Sequence, residues 1–557
     1  MSEIQVKGKK RAKRPSVLNK YFHHIDRGST TGREIGAGVL MCILGVCGMF
    51  INMQLIGQYH VSGSAVTASV EQLAANGEFY AEFYFLSMML AFVGSLLMGL
   101  VARLPLVQTT SLGLSTVMIS TLGIGTGLSY QNLLAVCFVS SAVYTIIMAV
   151  PMVRKAVLGA IPLSVRRAAP IALGVLLVMT ATQLTGLVSF GDSGLTIYGT
   201  GNSITRMDGI AQTVQTPALF DFARYQELGY KADSYFPVIQ WSLFGAVASF
   251  ASCLLLRKTK HPTLYALLIG TLVFFIGLLT QVVFYFSRSG QLRYELDVLW
   301  GRLWMVGSED AQHLHLGQIM RNLSIGELFK EGFDFTAYTE AGGNVIMLFA
   351  TGLLTFLCAS IASSEAMLQD GDTDDAAGGR AHLCNAVMNI VSPLLGMTTV
   401  AIASVSAAGR RDGARSGLAS VVAALGFLVS AFVWLVPFLF CTTTSYDIVF
   451  NMYGHYGKVL QLLTDSSFIV ADAVMALVGL MMIHGALRHD WTNTRHAAPM
   501  LATVAAAFFL NSLACGMAAG MLAHLLTNIF DRERELTIGN IIAGVIGAAQ
   551  LVLTALC

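Results

Sequence analysis

Long apolar blocks separated by short polar or basic joints run from residue 34 to the end of the chain. In the first half they fall near 34–57, 80–102, 106–125, 130–152, 166–188, 235–256 and 262–286. In the second they fall near 341–364, 382–396, 397–409, 414–440, 467–487, 497–529 and 537–556. A run of about 20 apolar residues spans a bilayer as a helix. The pattern therefore predicts an all-α polytopic membrane protein of 14 transmembrane segments, seven and seven. An odd number per half sends the second half into the membrane from the opposite side. Two related halves would then form an inverted repeat, the arrangement that lets a transporter alternate its access.

Two stretches interrupt this pattern. One runs from Pro105 through Gln108, Thr109, Thr110 and Ser111 to Gly113; the other runs from Pro393 through Thr398, Thr399, Ser404 and Val405 to Gly409. Backbone amides and carbonyls cannot stay bare in hydrocarbon, so broken helices occur only around a cavity or inside protein. Each stretch is predicted as a short extended piece, in segments 3 and 10, leading into a half-helix whose amides face a ligand. The competing reading assigns the same Ser, Thr and Gly to tight helix packing. Glu365 ends the eighth segment, in Ser360-Ile-Ala-Ser363-Ser364-Glu365. A carboxylate at mid-bilayer costs roughly 2.5–3.5 kcal/mol on insertion scales. Glu365 reads either as an interfacial charge or as a proton-coupling group; Asp472 reads as interfacial, and Asn52 and Asn385 as polar bridges between helices.

Composition agrees with the membrane reading: 55% of the 557 residues are hydrophobic and 12% charged, about half the charged fraction of a soluble protein. Nine Lys and Arg against two acids in residues 1–33 read as a cytoplasmic tail that meets anionic lipid, with no nucleic-acid role. The bases Arg154, Lys155, Arg166, Arg167, Arg257, Lys258, Lys260, Arg410, Arg411, Arg415, Arg488 and Arg495 all fall on even-numbered joints, the side of that tail. The mixed joint 530–536 agrees least. The expected location is the inner (plasma) membrane with both termini cytoplasmic. The nine cysteines form no CxxC pair and read as packing residues. HExxH, GxSxG and GxxxxGK[ST] are all absent, so no catalytic residue, metal or cofactor is expected, and no ATP-driven pump.

Collinear blocks then carry a family resemblance. They include Arg27-Gly28-Ser29-Thr30-Thr31, Glu34-Ile35-Gly36-Ala37-Gly38, Leu104-Pro105-Leu106, Ala160-Ile161-Pro162-Leu163-Ser164, Ser406-Ala407-Ala408-Gly409, Gly413-Ala414-Arg415-Ser416-Gly417-Leu418 and Ala514-Cys515-Gly516-Met517. The sequence resembles the xanthine/uracil permease family, in its adenine/guanine/hypoxanthine branch. The resemblance implies two inverted seven-segment repeats. After the tail 1–33, it implies a core domain from 34–152 and 341–440 and a gate domain from 153–286 and 441–557. An insertion at 189–234 and an extracytoplasmic one at 287–340 interrupt this plan. It further implies a nucleobase bound between the extended pieces, lined by Gln108, Thr109, Thr110, Ser111, Thr398, Thr399 and Ser404 and by segment 8 around Phe356–Ser360. A proton or cation and a homodimer are implied partners. The sequence departs from the family where acidic residues are usual: those places hold Phe356, Ala359, Val405 and Asn385, and Ser115 replaces an Asn. The expected function is purine transport, proton-coupled if another group serves. The alternatives are the same fold carrying a different small solute, or a membrane scaffold or sensor that transports nothing.

Overall fold

The computed structural model describes residues 17–62, 77–110, 118, 122, 128–184, 188–191, 194–197, 204–207, 210–213, 232–273, 276, 328–329, 331–340, 342–370, 374–432, 473–484, 491–529 and 537–556. The first half runs α1 (Val17–Phe22), α2 (Thr31–Ser62), α3 (Gly77–Leu97) ending in a π-helical turn (Met98–Ala102), then β1 (Gln108–Thr110). It continues through α4 (Tyr130–Ala149), α5 (Pro151–Ala160) and α6 (Leu163–Leu184). Strands β2 (Val188–Gly191), β3 (Gly194–Ile197), β4 (Ile204–Met207) and β5 (Ile210–Thr213) follow as two antiparallel hairpins at the 189–234 insertion. Helices α7 (Ala232–Leu255) and α8 (Pro262–Val273) close the half. The second half begins with α9 (Thr336–Glu340), α10 (Val345–Asp370), α11 (Asp375–Leu394), β6 (Val400–Ile402), α12 (Val405–Arg411) and α13 (Gly417–Phe432). It ends with α14 (Ala473–His484), α15 (Thr494–Phe509), α16 (Leu513–Ile529) and α17 (Ile538–Leu556).

Among the described residues five helices are long and apolar enough to cross a membrane, and the chain is a multi-pass membrane protein. The amphipathic α5 buries none of its residues and bends 79° from α6, so it lies along the edge of the bundle. Pro151 at its first turn lacks only an N–H that would be unpaired there anyway.

The two interrupted stretches meet. β1 pairs antiparallel with β6, with Gln108 opposite Ile402, Thr109 opposite Ala401 and Thr110 opposite Val400. Each strand follows the second long helix of its half, α3 or α11. Antiparallel pairing is what two oppositely inserted copies of one plan produce, as the inverted repeat requires. Helix α13 packs on both α2 and α3, and α11 on α4, so helices of the two halves interleave, while α2 and α3 lie against β1 and α10 and α11 against β6. Small residues allow the closest crossings. A Cβ on Gly417 would collide with the backbone of Gly99, and one on Gly174 would sit 2.7 Å from the Gly479 carbonyl.

Arg154, Arg166, Arg410, Arg411 and Arg415 gather at one end of the bundle. The tail's Arg27 donates there to the carbonyls of Arg103 and Arg415, and Glu34 accepts from the Arg415 amide. In the same region Asp412, in the turn after α12, accepts from the Thr263 and Leu264 amides at 2.9 and 2.8 Å. It thereby caps the start of α8. Burial pushes the Asp412 carboxyl above the usual carboxylate range, opposed by those same hydrogen bonds.

One expectation changes. Residues 497–529 are not one segment: the turn at Leu510–Ser512, with Asn511 at φ +46°, divides them into α15 and α16, packed as a hairpin. Gly516 and Gly520 lie against Thr503, which makes that hairpin antiparallel. Joint 530–536 lies outside the described residues. Helix α17 then starts beside Ala160, near Gly539, and runs up to Gln550, which donates to Thr355 on α10 at 2.8 Å. Residues Gly544 and Gly547 of α17 lie against Leu525 and Ala518 of α16, so these two helices are antiparallel.

Candidate functional site

A two-stranded ribbon has two open edges, and in hydrocarbon neither can be left unpaired. Ala403 donates to the Val107 carbonyl at 2.9 Å, extending the ladder by one pair. In an antiparallel ladder bonded and non-bonded pairs alternate, so the backbone groups of Gln108 and Val400 point outward. Side chains meet them. Ser95 of α3 accepts from the Gln108 amide at 3.0 Å and donates to its carbonyl at 3.2 Å. Asn389 of α11 accepts from the Val400 amide at 3.0 Å. Ser406 accepts from the Val107 amide at 3.0 Å. The approaches are closed the same way. Gly396, at φ +80°, ends α11 in a left-handed turn, and Tyr130 donates to its carbonyl at 2.7 Å. Ser420 donates to the Leu104 carbonyl at 2.8 Å.

Of the residues expected to line a site, strand pairing brings together Gln108, Thr109 and Thr110 with the β6 segment, and Thr398 and Thr399 are buried just before β6. Alternation along β1 sends the Gln108 side chain against Gly94 of α3, while the Thr109 methyl faces Gly45 of α2. Val405 is buried and Ser404 half-buried at the start of α12, where the serine side chain makes no capping bond. Ser111 lies outside the described residues. Helix α10 touches β6, but Phe356 packs edge-on to Tyr144 of α4, ring centroids 6.0 Å apart, and Ala359 is buried beside it in sequence. Both belong to the buried apolar core. Ser360 shares their helix and is fully buried.

A set of buried polar atoms has no hydrogen-bond partner: both amide atoms of Gln108, Thr110 Oγ1, Ser360 Oγ, Ser364 Oγ and both amide atoms of Asn385. They are hydroxyls and amides, neutral groups that both donate and accept. Buried polar groups are normally paired, because an unmade bond costs about 1–3 kcal/mol. Others of the kind lie elsewhere in the bundle, at Ser87, Ser140, Ser164 and Thr271 among them; those on Gln108 and Thr110 are in β1 itself, where a polar ligand would satisfy them.

Glu365 is not beside these atoms as an open carboxylate. Arg166 of α6 donates to its Oε2 at 2.6 Å, Gln369 to the same oxygen at 3.2 Å, and His382 of α11 meets Oε1 at 3.1 Å. The carboxylate is 1% exposed, so these partners offset a desolvation that would otherwise expel the charge. Sequence reading missed His382, Tyr144, Ser95 and Asn389. Only the polar spacing His382, Asn385, Asn389 along one face of α11 offered a signal. Among the described residues no group of three His, Cys, Asp or Glu could hold a metal ion.

No family profile matches the chain. It is 23% identical over 534 residues to Guanine/hypoxanthine permease GhxP of Escherichia coli O157:H7, covering 95% of both chains. Among solved structures it matches the transmembrane domain of the cyanobacterium bicarbonate transporter BicA at a TM-score of 0.41 and 13% identity, covering 87% of this chain and 96% of that one. It also matches SLC26A9 at a TM-score of 0.40 and 11% identity, covering 93% and 69%. From one end to the other, then, the chain is similar to a permease, and is a divergent relative of it.

Proposed function

We propose that the protein is a secondary-active carrier that moves a nucleobase, a purine such as adenine, guanine or hypoxanthine, by alternating access. One observation supports this above the rest: β1 and the helices α10 and α11 carry unpartnered neutral donors and acceptors, and the described residues 104–110 and 393–409 include no charged side chain. A flat, uncharged heterocycle with ring nitrogens and exocyclic groups matches that chemistry. An anion would call for a Lys or Arg in the strands or their approaches, and 106–110 and 393–409 contain none. The permease name of the full-length relative agrees. In this reading Gln108, Thr109, Thr110, Ser111, Ser360, Thr398, Thr399 and Ser404 hold the base. Helices α2–α4 and α10–α13 form the core, and the remaining spans form the gate. The inner (plasma) membrane is the location, with the basic end facing the cytoplasm.

Uptake of radiolabelled adenine, guanine, hypoxanthine and uracil into proteoliposomes, with and without a protonophore, tests the reading. Saturable purine uptake is the expected result. No uptake of any base by well-folded, inserted protein overturns it. Replacing Thr398 or Ser111 with Leu abolishes the thermal shift given by the preferred base. An unchanged shift moves the site elsewhere.

A further inference from the structure

One chain of contacts crosses from α6 to the strands. Arg166 holds Glu365 at 2.6 Å, Glu365 holds His382 at 3.1 Å, and the other ring nitrogen of His382 lies 3.3 Å from the Tyr144 hydroxyl. That hydroxyl reaches toward Asn385 and Ser364. One turn along α11 from Asn385, Asn389 donates to the Asn385 carbonyl at 2.9 Å and accepts from the Val400 amide of β6. Glu365, His382, Tyr144, Asn385 and Asn389 are all buried.

The protons in this chain can be assigned. A carboxylate paired with a guanidinium only accepts, so the ring nitrogen facing it, Nε2, carries the hydrogen. Nδ1 is then bare and accepts from the Tyr144 O–H. The tyrosine oxygen is left to accept on its other side, which suits the Asn385 amide NH₂. A proton arriving at His382 forms one new bond, Nδ1–H, and gives an imidazolium with no other bond broken. Nδ1–H now donates to the tyrosine oxygen, so the Tyr144 O–H turns away and donates to Asn385 Oδ1 or Ser364 Oγ. Both are atoms with no other partner. An amide that gave its NH₂ to tyrosine must now offer its oxygen, and its other end changes from acceptor to donor.

We propose that His382 is the proton-binding residue of the carrier, and that Tyr144 converts its charge into a reversal of the Asn385 amide beside the strands. The proposal rests on the carrier reading and adds the coupling group which that reading lacks. Glu365 fixes the tautomer and, through Arg166, ties the proton site to α6. Other charges face the same region. Arg154 of α5 lies against Gly379, one turn before His382; Arg380 follows on α11; Asp370 at the end of α10 is already held by Arg411 at 2.9 Å and by Arg410. None of these contacts the imidazole.

Two measurements on the full-length protein test the proposal. In the first, ¹⁵N-histidine spectra of wild type, with H382Q used for assignment, follow the ring between roughly pH 5 and 8. The expected result is an Nε2–H tautomer that gains a second proton on acidification, with a displaced midpoint in Tyr144→Phe, which keeps the ring against Phe356. A ring that takes up no proton, or the opposite neutral tautomer, overturns the proposal. In the second, proteoliposomes with the membrane potential clamped at zero carry a one-unit inward pH gradient. One proton per neutral base then supports accumulation up to about tenfold. Wild type approaches that limit, while H382Q exchanges labelled purine but accumulates none. Equal accumulation by H382Q overturns the proposal. A wild type that carries no base while His382 titrates as described removes the purine reading and leaves the proton site standing.

Discussion

Ser95→Ala is the sharpest perturbation of the strand crossing. The serine hydroxyl serves two backbone groups of Gln108, accepting from the amide at 3.0 Å and donating to the carbonyl at 3.2 Å. Gln108 and Ser95 are both fully buried, so no bulk water replaces the lost partner. Each orphaned group costs about 1–3 kcal/mol, so the substitution destabilises by roughly 2–6 kcal/mol, far beyond the loss of one methyl-sized atom. The comparison variant is Ser363→Ala, whose hydroxyl only bonds back to the Ser360 carbonyl within its own helix at 3.2 Å. It shifts stability by about 0.5 kcal/mol or less. Reversible unfolding of the purified protein in mixed micelles compares the two, with base-induced stabilisation measured on both. If Ser95→Ala unfolds within about 0.5 kcal/mol of wild type, the ribbon edge is satisfied by something else and the accounting of its backbone groups fails.

Other consequences can be checked as directly. Gly417→Val brings a branched side chain into the backbone of Gly99 and lowers the yield of folded protein sharply, with the loss read by size-exclusion profile; a normal profile contradicts the close crossing. Asp412→Ala removes the cap from α8 and costs about 1 kcal/mol. The Asp412 carboxyl is raised in the folded chain by burial, so its proton-linked contribution is present below the ordinary carboxylate range and is lost as pH rises through the folded value. Asp412→Asn, which has no proton to release, removes that part of the pH–stability slope; an unchanged slope is the contrary result. Reporter fusions at the two termini report opposite sides of the membrane, since α17 leaves the basic end beside Ala160; signals from one side contradict its direction.

Much of this was legible in the sequence because the bilayer imposes it. Pro105 and Pro393, each followed by threonines, mark where helices stop, and the strands at 108–110 and 400–402 lie within those stretches. Their register was not legible, since it depends on how two stretches almost 300 residues apart approach one another. The hairpin at Leu510–Ser512 was hidden because two polar residues in a 33-residue apolar run carry little punctuation. The edge-on contact of Phe356 with Tyr144 of α4 was not legible either, since it joins residues more than 200 positions apart. The Arg166–Glu365–His382 cluster could not be read at all, because three helices supply one residue each and only folding sets them in line.

The central claim is that a purine binds where β1 and β6 cross. Equilibrium binding of labelled guanine to the purified protein, competed by unlabelled hypoxanthine and repeated on Thr110→Leu, tests it most directly. Saturable binding that hypoxanthine displaces and Thr110→Leu abolishes is the predicted result. Folded wild type without specific binding, or a Thr110→Leu variant that binds as wild type does, contradicts it.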